Sequence, residues 1–246
     1  MRIPIVKGVI DRRILANYRV DPDVMARNLP SPFRPKLFKG YAIAGICLIR
    51  LTNIRPRLFP LPWGLTSENA AHRVAVEWEV DGETREGVFI PRRDTDSRLN
   101  TWLGGTVFPG VHHHARFDVH ETEEALSVSM RSDDGRARVH VVGNVADRLP
   151  ATSVFTSIAE ASAFFASGSL GYSTTDTPGR YDGLELRCDQ WQVAPLAVAE
   201  IESSYFEDET LFPQGSASFD CALLMRRLAL EWHGREDLCC PSVAPA

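Results

Sequence analysis

The chain has 246 residues, of which 44% are hydrophobic and 24% charged, with a net charge of −5 at pH 7. That is enough apolar material to bury a sizeable core. An acidic balance without a basic block argues against nucleic acid as a partner, and no apolar run approaches the ~20 residues that a membrane-crossing helix needs.

Near the start, "YRVDPDVMARNLP" predicts the end of a strand and then a short helix. Asp21 is its N-cap, Pro22 its first residue, and Leu29-Pro30 close it. "GYAIAGICLIRLTNI" (40–54) predicts a long apolar strand with Arg50 as its one charge. In "HRVAVEWEVDGETREGVFIP", Val74, Val76, Trp78 and Val80 share one face and Asp81-Gly82 turn a hairpin. "DTDSRLNTWLGG" predicts a helix of about three turns with Leu99, Trp102 and Leu103 on one side and a Gly stop. Strands through Ala125–Arg131 and Arg136–Val145 flank "SDDGRA". "SIAEASAFFASG" is a helix with a Ser157/Glu160 capping box and a stop at Gly168. "DQWQVAPLAVAEIESSYF" predicts a strand bent at Pro195, whereas "SASFDCALLMRRLALEWH" fits strand and helix alike. No repeat or linker divides the chain, so one domain over residues 1–236 is expected, followed by a short tail at 237–246. Antiparallel strands joined by tight turns, with a few short helices, define an α+β protein built on a large sheet or barrel.

Five cysteines stand at 47, 188, 221, 239 and 240 without a CxxC or a disulfide framework. Pro4 and Asp11 interrupt the N-terminal apolar stretch, so no secretory leader is expected and the reading is a cytoplasmic protein. Of 27 basic residues only Lys7, Lys36 and Lys39 are lysines. Arginine clamps anions and does not serve as a nucleophile, which confines lysine chemistry to the first forty residues.

The densest chemistry lies in "FPGVHHHARFDVHE" (108–121), which holds four of the seven histidines. As a strand it puts Val111, His113, Ala115, Phe117 and Val119 on one face, and His112, His114, Arg116, Asp118 and His120 on the other. The first face reads as core, with His113 a packed histidine. His112 and His114 project from the same side about 6.6 Å apart, close enough to bite one metal ion. A third ligand would come from His72, Glu77 or His140, and Arg116 is a poor neighbour for a cation. An anion site fits the chemistry better, because two imidazoles and Arg116 in a row suit a carboxylate and a proton transfer near neutral pH. Arg50 in its apolar strand needs an anion too, either an acid of the fold such as Glu77 or a bound carboxylate.

In "IPRRDTDSR", Asp94 and Asp96 are accounted for by capping the helix that follows, and the arginines by a solvated charge run. "GYSTTDTPGRYDG" lacks the Lys of a phosphate loop and reads as a mobile loop over one barrel end, with Tyr172 a ligand contact or an ordinary turn residue. No G-x-S-x-G elbow occurs, and no cofactor is expected.

Together "YRVDPDVMARNLP", "FKGYAIAGICLIR", "HHHAR", "GYS" with "DGLEL", and "FPQGSASFDCALLMRRLALEWH" resemble a bacterial domain-of-unknown-function family of the acetoacetate decarboxylase-like superfamily, over about residues 10 to 233. The resemblance implies one domain with a twisted, largely antiparallel barrel or cone around a cavity, and a homo-oligomer by analogy. In acetoacetate decarboxylase a Schiff base forms on a lysine whose pKa is lowered by an adjacent cation. Its lysine falls in the segment that here reads "FPGVHHHARF", where this chain has none. An imine is thereby removed unless Lys36 or Lys39 reaches the cavity, which is not expected. What remains is a small-molecule enzyme acting on an oxo or hydroxy acid without an imine. His112 or His114 would move a proton, Glu77 would orient one of them, and Arg116, Arg50 and Tyr172 would hold the substrate. The alternatives are a non-catalytic ligand-binding or sensor barrel, and a metal-dependent enzyme using the HxH strand.

Overall fold

The computed structural model describes residues 5–58, 63–103, 109–188 and 191–240. Among them are thirteen strands and three helices: β1 (Val6–Val20), α1 (Pro22–Asn28), β2 (Arg34–Pro35), β3 (Leu37–Phe38), β4 (Tyr41–Pro56), β5 (Leu65–Val80), β6 (Glu83–Thr95), α2 (Arg98–Leu103), β7 (His112–Glu121), β8 (Ala125–Ser132), β9 (Arg138–Val145), α3 (Ile158–Ser167), β10 (Leu170–Thr174), β11 (Arg180–Arg187), β12 (Ala194–Ser203) and β13 (Ala217–Cys239). The architecture is α+β: one large, twisted, largely antiparallel sheet with three short helices.

The strands pair in two closed circuits. One runs β6-β7-β8-β9-β12-β13-β1-β4-β5 and returns to β6 through the β5–β6 hairpin. The other leaves β6 for β10 and β11, joins β13, and returns through β1, β4 and β5. β13, β1, β4, β5 and β6 belong to both, and their two faces look into two different interiors. Successive side chains of a strand alternate between faces, so a wall strand with both faces buried reads as a continuous apolar run. β4 reads that way, with residues 42–48 all buried. Ile14, Ile46, Leu48, Val128, Met130 and Val141 fill the interior of the larger circuit. Leu15, Cys47, Phe155, Phe165, Leu223 and Met225 fill the interior of the smaller one.

Local signals set several boundaries. The Asp21 carboxylate accepts from the backbone N–H groups of Asp23 and Val24, and Pro22 opens α1. Asp81 and Gly82 both have positive φ, the conformation a two-residue hairpin turn demands. The Ser157 hydroxyl accepts from the Glu160 N–H and Gly168 caps the C-terminus of α3. The reciprocal half of that capping box is not formed, because the Glu160 carboxylate accepts from Thr156.

Other expectations need correction. Residues 217–239 form one long strand, and the interval 216–233 resolves to strand because β13 is paired along most of its length with β1 and also with β11 and β12. β13 thus continues past the expected start of the tail at residue 237. β12 begins at Ala194, so Pro195 marks its start, not a bend within it. α2 has six residues, not three turns, since β6 runs on through Thr95 in pairing with β5. Ser97 caps it, accepting from the Asn100 N–H at 3.2 Å. Leu99 and Trp102, expected to pack, are 42% and 79% exposed, and the expected Gly stop lies outside the described residues.

Candidate functional site

Register brings the site together. Leu15 pairs with Cys47, Cys47 with Ala71, Ala71 with Arg93, and Arg93 with His112, a lateral row across β1, β4, β5, β6 and β7. All five line one cavity of about 160 Å³, inside the smaller circuit, with residues from each of its seven strands in the wall. A cavity of that size holds a molecule on the scale of benzene. Phe164 and Phe165 of α3, Trp191 and Trp232 contribute its aromatic lining.

Three arginines reach this cavity, and among the described residues none has a carboxylate partner within ion-pair distance. Arg13 donates from Nε to the Cys47 thiol at 3.1 Å, and its guanidinium lies 5.7 Å from the Trp191 ring centroid. Arg73 is buried, donates from Nη2 to the Asn17 side-chain oxygen, and stacks 4.8 Å from the Phe165 ring centroid. Arg93 donates from Nε to the Ser173 hydroxyl at 3.0 Å. Burial lowers the pKa of Arg73 to about 10, with Arg13 adding repulsion. Burial likewise brings Arg93 down to about 10. Both remain charged at neutral pH. Arg13 Nη1, Arg73 Nε, the Asn100 amide oxygen and Trp191 Nε1 are buried without a hydrogen-bond partner among the described residues. Buried charge without an anion is expensive, and a cationic cavity with spare donors is built for an anionic guest.

His112 stands beside Arg93. Its Nδ1 lies 3.2 Å from the Gly110 carbonyl oxygen, which can only accept, so Nδ1 carries the proton and Nε2 keeps its lone pair. Burial, and then the charge of Arg93, push its pKa down to about 3. The ring is therefore neutral at physiological pH with Nε2 unprotonated, and an anion bound at Arg93 would offset the second of these causes and raise its basicity.

Of the six residues singled out in the sequence, His112 is the one that lines this cavity. His114 Nδ1 pairs with Asp133 at 2.7 Å, and Arg116, with an 86% exposed side chain, lies 3.5 Å from the same carboxylate. Glu77 faces Arg34 at 3.3 Å. Arg50 pairs with Glu68, Glu121 and Asp11, so its anion is supplied by the fold. Tyr172 is buried against Trp78 and Phe33, on a β10–β11 hairpin and not in a loose loop, and does not line this cavity.

His113, expected in the core, is partly exposed and faces Asp134 at 3.5 Å. The polar face of β7 meets the cavity only at His112, and by Arg116 and His120 it is exposed. His112 and His114 address different partners, and the third-ligand candidates are dispersed. His140 bonds Ser129 at 2.7 Å, and His72 is buried against Tyr205. Among the described residues no group of three or more His, Cys, Asp or Glu side chains is gathered as a metal site. Asp94 and Asp96 do not cap α2. Asp94 is buried and chelated by Arg92, and Asp96 accepts from the Glu68 N–H at 3.0 Å. Lys36, not expected there, does line the cavity, but its ammonium pairs with Glu86 and bonds the Ser167 hydroxyl at 3.0 Å.

The fold is acetoacetate decarboxylase-like. Acetoacetate decarboxylase from Legionella pneumophila superposes with a TM-score of 0.63 at 11% identity, covering 98% of this chain and 90% of that one. An acetoacetate decarboxylase-like enzyme from Sphingomonas wittichii gives 0.56 at 11% identity, over 98% and 94%. The enduracididine biosynthesis enzyme MppR, complexed with pyruvate, gives 0.54 at 12% identity, over 96% and 90%. No curated protein matches the sequence. Within this fold the chain belongs to DUF2071, a family described as an uncharacterized conserved protein, which matches residues 10–225.

Proposed function

We propose that the cavity binds a small oxo or hydroxy acid through its carboxylate and transfers a proton on it without an imine. The observation that carries this is that Arg13, Arg73 and Arg93 line one internal cavity with no carboxylate within ion-pair distance of them among the described residues, Asp94 in the lining being held by Arg92. The clamp assigned in the sequence to Arg116 and Arg50 passes to these three, while His112 keeps its proton-transfer role. The pyruvate found in MppR, a protein of the same fold, supports the oxo-acid class.

In the proposed step, His112 Nε2 takes a proton from the carbon next to the carbonyl. The C–H electron pair forms the enolate double bond and the carbonyl π pair moves to oxygen, where the guanidinium N–H groups stabilise it. Return of the proton to the same carbon regenerates the acid. Lys36 is not required, and its ammonium is already engaged by Glu86.

The test is proton NMR of pyruvate in D2O with catalytic protein. Methyl deuteration above the buffer rate is expected, with a loss on the order of a hundredfold in His112→Gln, the scale of one general base. Pyruvate that binds without exchanging would favour the ligand-binding barrel. Exchange unaffected by His112→Gln would remove the residue from the mechanism.

A further inference from the structure

The three cations of the cavity hold different hydrogen-bond partners, although Arg93 still feels the charge of Arg13. Arg13 donates to Cys47 on β4. Arg73, rooted on β5, reaches back across Gly45 to Asn17 on β1, because Asn17, Gly45 and Arg73 lie in one register row. Both guanidinium groups therefore sit over β1 and β4. Arg93 is turned the other way, toward Ser173 on β10, beside His112. One strand, β5, intervenes between Cys47 and Arg93, so their backbones are roughly 10 Å apart at ~4.8 Å per strand. Asp94 and Lys36, the remaining charges in the lining, are neutralised by Arg92 and Glu86. Among the described residues no acid stands within ion-pair distance of Arg13, Arg73 or Arg93, and Asp182 acts on Arg93 only from beyond it.

We propose that the ligand of this cavity is a dianion, a short dicarboxylic acid. One carboxylate lies at the Arg13/Arg73 pole and the other at the Arg93/His112 pole. This rests on the reading of the cavity as a carboxylate site and adds the second anionic group. A monocarboxylate satisfies one pole and leaves buried, unpaired guanidinium at the other, whereas a diacid of matching length pairs with both. Arg73 Nε and Arg13 Nη1, buried and without partners among the described residues, are the free donors at the double pole. Ala71, which stands between Cys47 and Arg93 in the register row, and the apolar lining of Val88 and Ile90 suit a short carbon chain.

The experiment is isothermal titration calorimetry of the full chain at pH 7 and low salt. Succinate, glutarate and adipate are compared with monoacids of equal carbon number, and with pyruvate. The best diacid is expected to bind at least tenfold more tightly than its monoacid, and Arg93→Gln or Arg13→Gln to erase that advantage. Should either variant fail to fold, the wild-type comparison decides alone. Equal affinities for diacid and monoacid would overturn the dianion while leaving the carboxylate reading intact. No binding of any acid, pyruvate included, would overturn both. A diacid preference without methyl exchange would overturn only the proton-transfer step.

Discussion

The buried His72 and the half-buried His112 tie stability to pH in a direction that can be fixed in advance. Burial holds the pKa of both His112 and His72 at about 3 in the folded chain, against about 6.5 when unfolded. Between those values the unfolded chain binds protons that the native chain refuses. Their contribution is complete above about pH 6.5 and is lost as pH falls toward 3. Urea unfolding at pH 4 to 6 should show His112→Gln lowering the slope of stability against pH by about 1.4 kcal/mol per unit, the value of one proton. An unchanged slope would mean that the native ring titrates normally. His72→Phe should act alike, since the ring packs 4.8 Å from Tyr205 and neither nitrogen has a partner among the described residues. At this scale the sequence was partly legible. His112 stood out by its neighbours, and Arg50 as a lone charge in an apolar strand. Arg13 in "VIDRRILANY" follows Asp11 and Arg12, and Arg73 in "AAHRVAVEWEV" stands beside His72, so neither is marked as a lone charge. Alternation, however, says which residues share a face, not which face encloses space.

For the elements, legibility follows how local the cause is. The Asp21 cap, the Asp81-Gly82 turn and the α3 stop depend on neighbours within a few residues and could be read directly. The length of α2 and the state of residues 217–239 depend on partners far along the chain, and could not. Gly87 shows such a remote constraint. A Cβ there would stand 2.4 Å from the Leu170 carbonyl oxygen and 3.2 Å from the Trp78 ring, where β6 passes β10. Gly87→Ala should therefore lower stability by about 1–3 kcal/mol, the usual cost of overpacking, with an unchanged guanidinium m-value. It should also weaken acid binding, because Gly87 and Gly171 both lie in the cavity wall. A midpoint equal to wild type would show that β10 yields at no cost.

Across the whole molecule, the fully buried Arg12 and the partly buried Arg93 should have opposite effects on stability, and the sign separates scaffold from site. Arg12 is fully buried and paired with Glu68 from β5 and Glu121 from β7, with Arg50 sharing both acids. This cluster ties β1, β4, β5 and β7 together, and removing Arg12 strips Glu68 of a buried partner. Arg12→Met should cost about 3–5 kcal/mol, with much of that recovered by adding Glu68→Leu, since an apolar pair replaces a buried ion pair at little cost. Arg93 has a hydroxyl partner but no acid, so its desolvation is offset only weakly in the empty cavity. Arg93→Met should leave stability unchanged or raise it by roughly 1 kcal/mol, and abolish the stabilisation that a diacid confers on wild type. Thermal unfolding of the three variants with and without glutarate measures both effects. Destabilisation of Arg93→Met on the scale of Arg12→Met would make the cavity arginines part of the scaffold. Stability gained while ligand stabilisation is lost would mark them as residues held at a cost to folding for what they bind.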